Sequence, residues 1–249
     1  MSRPASLSSA TLAQTIVELR LTARRGENVL VTVIIPAVVL VFFASAGVLP
    51  TPAGRPVDFL LPGSIALAVI ATSLVNLGIA TAYERHYGVL KRLGGSPLTR
   101  GGMLVAKVAA VLVVELGQVV LLIAIAVVAL GWSPAPGANP VRLVGVVLVG
   151  TLAFAGLGLL LAGALRAEAT LALANALFIA TVLLGGIILP IDHLAEPLAA
   201  MAGLLPAAAL SDAVRAALGQ NLDLGRPLVI LVAWAAGSIG LAARTFRWE

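Results

Sequence analysis

Residues 103–130 read MLVAKVAAVLVVELGQVVLLIAIAVVAL, and only Lys107, Glu115, Gly117 and Gln118 interrupt their aliphatic side chains. Coiled as an α-helix, the stretch is about 42 Å long, which exceeds the roughly 30 Å of a bilayer's hydrocarbon core. Further apolar segments lie at about 29–49, 59–83, 141–165, 170–190 and 227–243. A chain in lipid has to satisfy its own backbone, and none of these segments has the short alternation of a barrel strand. The expected fold class is therefore an all-α integral membrane protein with six transmembrane helices. Composition agrees. Of 249 residues 60% are hydrophobic and 11% charged, against roughly 25% charged in a soluble domain, which excludes a water-soluble fold.

Net charge is +5, and its placement matters more than its sum. Twelve of the 16 basic residues fall on the side of the termini and the 84–102 loop, and four (Arg55, Arg142, Arg215 and Arg226) on the other. By the positive-inside rule both termini are cytoplasmic, and the charge reflects topology rather than a nucleic-acid partner. Ala44-Ser45-Ala46 imitates a signal-peptidase site, but a long polar segment precedes that span and five more follow, so it is expected to stay. There is no cysteine, hence no disulfide, thiol nucleophile or thiolate site. Neither Lys91 nor Lys107 follows a glycine, so no Walker A loop exists, and His86 and His193 cannot form a zinc-protease motif. No catalytic residue, cofactor or metal is expected on this chain.

Residues 1–28 form an N-terminal cytoplasmic segment ahead of the transmembrane domain, 29–249. Leu12, Ile16, Leu19 and Ala23 make one helical stripe, with Arg20, Arg24 and Arg25 off it, the pattern of a helix lying on anionic membrane lipids. Tyr83, Tyr87 and Leu90 share a face, so the second span is expected to continue into the cytoplasm. Gly94-Gly95 then turn the chain, with Ser96 as N-cap and Pro97 at the first position of the next helix. The result is a basic helical elbow at 84–102. The segment 191–226, with Pro190, Pro197 and Pro206 nearby or inside it, reads as an external helical hairpin before the last span, dipping into or lying on the outer leaflet.

Polar residues within spans are costly and point to function or to glue between helices. Glu115 and Gln118 share a face of the third span, and Asn76 and Asn175 are mid-span. These four are candidates for a substrate path; packing between helices is the other reading. Ala172, Ala176 and Ala180 recur at i+4 and suggest close helix packing.

The pattern resembles the permease subunit of ABC-2 type transporters, of the drug-resistance type. The likeness rests on the basic N-terminal helix, the six spans, and the loop Glu84-Arg85-x-x-Gly88-x-x-x-x-Leu93-x-x-Ser96-Pro97-x-x-Arg100. It also rests on Leu205-Pro206-x-x-x-x-Ser211-Asp212-Ala213-x-Arg215. The resemblance implies a separate ABC ATPase, in two copies and carrying ATP and Mg, together with a second permease chain, identical or homologous. It implies that Glu84, Arg85, Tyr87, Gly88, Lys91, Arg92, Gly94, Gly95, Ser96, Pro97 and Arg100 couple to the ATPase, and that Pro206, Asp212 and Arg215 belong to an outer gate. The expected activity is export of a small hydrophobic or lipid-like compound across a bacterial plasma membrane by alternating access. The competing reading is a proton- or ion-coupled secondary transporter or channel using Glu115.

Overall fold

The structure, a computed structural model, describes residues 6–24, 26–47, 54–95, 98–220 and 222–245, with side chains for all of these except 26–31 and 245. The described residues form α-helices and no strand. Helix α1 spans Leu7–Arg24 and α2 Gly26–Ala46. Helix α3 (Pro56–Ile70) passes through a π-helical segment, Ala71–Asn76, into α4 (Leu77–His86), and the three make one 31-residue rod. A short helix, α5 (Val89–Leu93), follows. Then come α6 (Arg100–Leu130), α7 (Pro140–Ala164), α8 (Ala167–Leu184), α9 (Glu196–Ala202), α10 (Pro206–Ala217) and α11 (Gly225–Thr245).

The α3–α4 rod, α6, α7, α8 and α11 are each long and apolar enough to cross a membrane; α2 is a shorter apolar helix from Thr32 to Ala46, and α9 with α10 passes the same test only as a bent pair. Their ends follow local chemistry. Proline occupies the first turn of α3 and α7, where its missing N–H costs nothing. Asn139 Oδ1 accepts from the Val141 and Arg142 amides at the start of α7. Helix α6 stops at Gly131, whose φ of +60° closes a 6→1 bond from Trp132 N–H to Ala126 O. Arg55 then donates to the Leu130 and Gly131 carbonyls at 2.8 Å each, satisfying the α6 C-terminus.

Helix α7 is the hub, packed on the α3–α4 rod, α6, α8, α10 and α11. Small residues let it serve so many neighbours, as expected where lipid removes the hydrophobic drive between helices. A Cβ on Gly158 would stand 2.7 Å from Leu74 O and 2.9 Å from Ser73 O, and one on Gly150 2.7 Å from Leu210. The alanine stripe of α8 does not play this part: Ala172 and Ala176 are exposed and Ala174, off the stripe, is buried.

Leu12 and Ile16 of the α1 stripe are exposed and Leu19 is half-buried, as are Thr11, Gln14, Thr15, Glu18 and Thr22, and α1 packs along α6. The 191–226 segment is not a surface hairpin throughout. Helix α9 is largely exposed, but α10 bends from it by 73° and is almost wholly buried against α3, α7 and α11. Ala207, Ala208 and Ala209 are small enough to let it enter.

Candidate functional site

The elbow comes first. The second span ends at His86 instead of running through Leu90, because the chain turns at Gly88, whose φ is +71°. That left-handed turn lets Leu90 fold back and be fully buried with Leu98 and Met103. The turn expected at Gly94-Gly95 is not of this kind, since Gly94 has φ −63° and Gly95 is not among the positive-φ glycines. Ser96 and Pro97 lie outside the described residues. The cap of the helix after the elbow is Thr99, whose side chain accepts from Gly102 N–H at 3.0 Å, and that helix begins at Arg100.

The elbow's charges divide into two sets. Glu84 binds Lys107 Nζ at 2.6 Å, and Arg85 donates to the Gly163 and Leu165 carbonyls where α7 ends. These two residues fasten α4 to its neighbours. Lys91, Arg92 and Arg100 are exposed, as are Gly94 and Gly95, and Tyr87, 69% exposed, stacks on Tyr83. A partner approaching α5 therefore meets a basic knob with one aromatic ring.

Asn76 and Asn175 meet at a groove. Helices α2, α8 and the α3–α4 rod enclose about 300 Å³, lined by Thr32, Pro36, Val75, Asn76, Asn175 and Phe178 among others. Among the described residues no charged one lines it. Asn175 Nδ2 donates to Leu171 O at 2.8 Å, which leaves its carbonyl oxygen for a ligand. Thr32 and Phe178 join this wall although the sequence singles out neither. An amide facing an apolar cavity is visible as polarity, whereas a threonine or phenylalanine in a span carries no such mark.

Glu115 and Gln118 line none of this. Both are buried, at 0% and 4% exposure. Thr151 of α7 donates to the Glu115 carboxylate. Thr72 of the π-helical segment donates to Gln118 Oε1 at 3.2 Å, and Gln118 Nε2 donates to Thr32 O at 3.3 Å. The pair thus stitches α6 to α7, to the rod and to α2.

At the far end, Pro206 opens α10 and Arg215 sits inside it, 6% exposed. Its guanidinium binds Asp212 at 2.9 Å and the Gly186 carbonyl at 2.5 Å, and lies 4.4 Å from the centre of the Phe59 ring. Phe59 and Gly186, which come from α3 and the turn after α8, are partners that no local spacing predicts. Gln220 Nε2 adds a bond to the Asp58 carbonyl. Arg215 thereby joins three segments at one end of the bundle.

No curated protein matches the chain. The family model for the ABC-2 type transporter matches residues 10–218, from α1 through α10. Five helices long and apolar enough to cross a membrane, a basic elbow between the α3–α4 rod and α6, and a buried helix before α11 accompany that match. Membership implies an ABC ATPase as partner. The chain belongs to the ABC-2 type transporter family, as a multi-pass membrane permease subunit.

Proposed function

We propose that this chain is the membrane half of an exporter powered by a separate ABC ATPase. Two ATPase copies, holding ATP and Mg, act on two permease chains in a bacterial plasma membrane with both termini cytoplasmic. The observation that carries the reading is the pairing of the exposed basic α5 with a rigid rod. Lys91, Arg92 and Arg100 offer a docking surface, while Glu84 and Arg85 fix the end of the same rod whose middle carries Asn76. A push on α5 would then tilt a groove wall. In this reading the groove between α2, the rod and α8 is one half of the pathway, and a second chain closes it. Its apolar lining with isolated amides suits a neutral, greasy molecule bearing hydrogen-bonding groups. Pro206, Asp212 and Arg215 hold α10 as the outer closure.

Glu115 is not proposed as a proton or ion site. A carboxyl that cycles protons needs a wet path, and this one is fully enclosed between helices and lines no cavity described above.

Purification of tagged chain, identification of the ATPase that accompanies it and reconstitution of the complex test the reading. ATP-dependent movement of a neutral lipophilic dye is expected. Transport by the chain alone under a pH gradient would refute it.

A further inference from the structure

Lys107 is among the largest side chains that the fold encloses completely, at 1% exposure. It lies in the second turn of α6, and its ammonium reaches Glu18 of α1 at 2.9 Å and Glu84 of α4 at 2.6 Å. Three elements distant in sequence thus meet on one nitrogen. Helix α1 has no fully buried residue; the face it turns to α6 is mostly polar, with half-buried Ala10 and Leu19 as its apolar contribution. Gln14 Nε2 donates to Glu18 Oε1 at 2.8 Å, which aims the carboxylate from within α1. On the other side, Glu84 stands two residues before the end of α4, and only Tyr87 and Gly88 separate α4 from α5. A cavity of about 40 Å³ adjoins the cluster and is lined by Glu18, Glu84, Lys107, Thr22, Thr72 and Asn76. Asn76 lines the larger groove as well.

A buried ammonium held by two partly buried carboxylates is a poor choice if the aim is only to hold helices together. Desolvation cancels most of their attraction, and apolar side chains of similar volume do as well or better. An ion cluster adds direction and register, since the ammonium donates only along its own three N–H bonds. We propose that Lys107 is a positioning residue of the transport cycle: it clamps α1, α4 and α6 into one body, so that a push on α5 carries the N-terminal helix and the Asn76 wall together. The inference rests on the permease reading above.

The chain has no cysteine, so spin labels can be placed without background. Arg20→Cys on α1, His86→Cys at the end of α4 and Arg244→Cys on α11 are all exposed positions. Helix α11 packs chiefly on α7 and α10 and serves as reference. Distances from α11 to α1 and to α4 are measured in the complex with its ATPase, at rest and trapped with ADP and vanadate. With Lys107 intact both distances shift on trapping. Lys107→Met is expected to keep the α4 shift and lose that of α1. The triple variant Glu18→Gln, Glu84→Gln, Lys107→Met removes all three charges together and is expected to do the same, while Lys107→Arg retains both shifts. Shifts of both helices in the triple variant, or loss of both, would overturn the assignment. Absence of any shift in the native complex would instead overturn the permease reading and the clamp with it.

Discussion

Gly158 faces the Leu74 and Ser73 carbonyls so closely that a methyl group has nowhere to go. Gly158→Ala is expected to push α7 from the rod and cost about 1–3 kcal/mol, the range for overpacking a tight contact. Gly117, exposed on α6 with nothing within 4 Å of its missing Cβ, is the control. There alanine is expected to be neutral or to stabilise by up to about 1 kcal/mol, since glycine is a weak helix former. Thermal melting of the detergent-solubilised chain distinguishes the two, and equal melting temperatures would mean that α7 is not a tight hub. At this scale the sequence is half legible. The spacing of Glu115 and Gln118 puts them on one face, and the cost of polarity in lipid sends that face inward. Their partners Thr151, Thr72 and Thr32 come from three other segments, and nothing local selects them. The same holds for Lys107: a lysine among aliphatics demands a counter-charge, yet Glu18 and Glu84 are 89 and 23 residues away.

Helix α5 exists because Gly88 accepts φ +71°, a conformation that costs an L-residue roughly 1 kcal/mol or more. Gly88→Ala is expected to lower stability by about 1 kcal/mol, with open space around the new methyl and the strain confined to the backbone. The double variant Gly94→Ala, Gly95→Ala is expected to leave the melting temperature unchanged, because Gly94 is right-handed and a Cβ on Gly95 meets only Arg92 O at 3.5 Å. An equal loss in both variants would refute the assignment of the turn to Gly88. Charge reversal at Lys91 and Arg92 probes the exposed side of the same element. With both side chains in solvent, the chain is expected to fold and insert normally while the accompanying ATPase no longer co-purifies with it. Retention of the ATPase at native levels would remove α5 as its docking point. The face shared by Tyr83, Tyr87 and Leu90 points to a continuous helix only while local periodicity decides. Burial of Leu90 against Leu98 and Met103 is a tertiary gain that breaks the helix in favour of a turn. Helix α10 shows the same override, since its flanking prolines and its charges suggest a surface segment, whereas a run of alanines fits it into the bundle.

The five long spans and their order follow from apolar length alone, since the bilayer permits few other answers. Neighbour relations do not, because a lipid-facing side chain and one facing another helix are equally apolar. Helix α8 is the clearest case. Its stripe of small residues promises close packing, but Ala172 and Ala176 are exposed, and Val38 of α2, on the other flank of the Asn76–Asn175 groove, is 55% exposed. A groove open along one side, with a small-residue helix on one bank and an apolar helix on the other, fits a second copy of the chain meeting it there. The absence of native cysteine makes the test direct. Val38→Cys and Ala176→Cys, singly and together, are expected to give disulfide- or bismaleimide-linked dimers in native membranes. Val229→Cys on α11, 69% exposed and on a helix that packs chiefly on α7 and α10, is expected to give none. If α2 and α8 form the shared wall, denaturing gels will show a band of twice the chain mass for the first two positions alone. Equal yields at Val229 would mean random collision in the bilayer, and no dimer at Val38 or Ala176 would remove α2 and α8 as a shared wall.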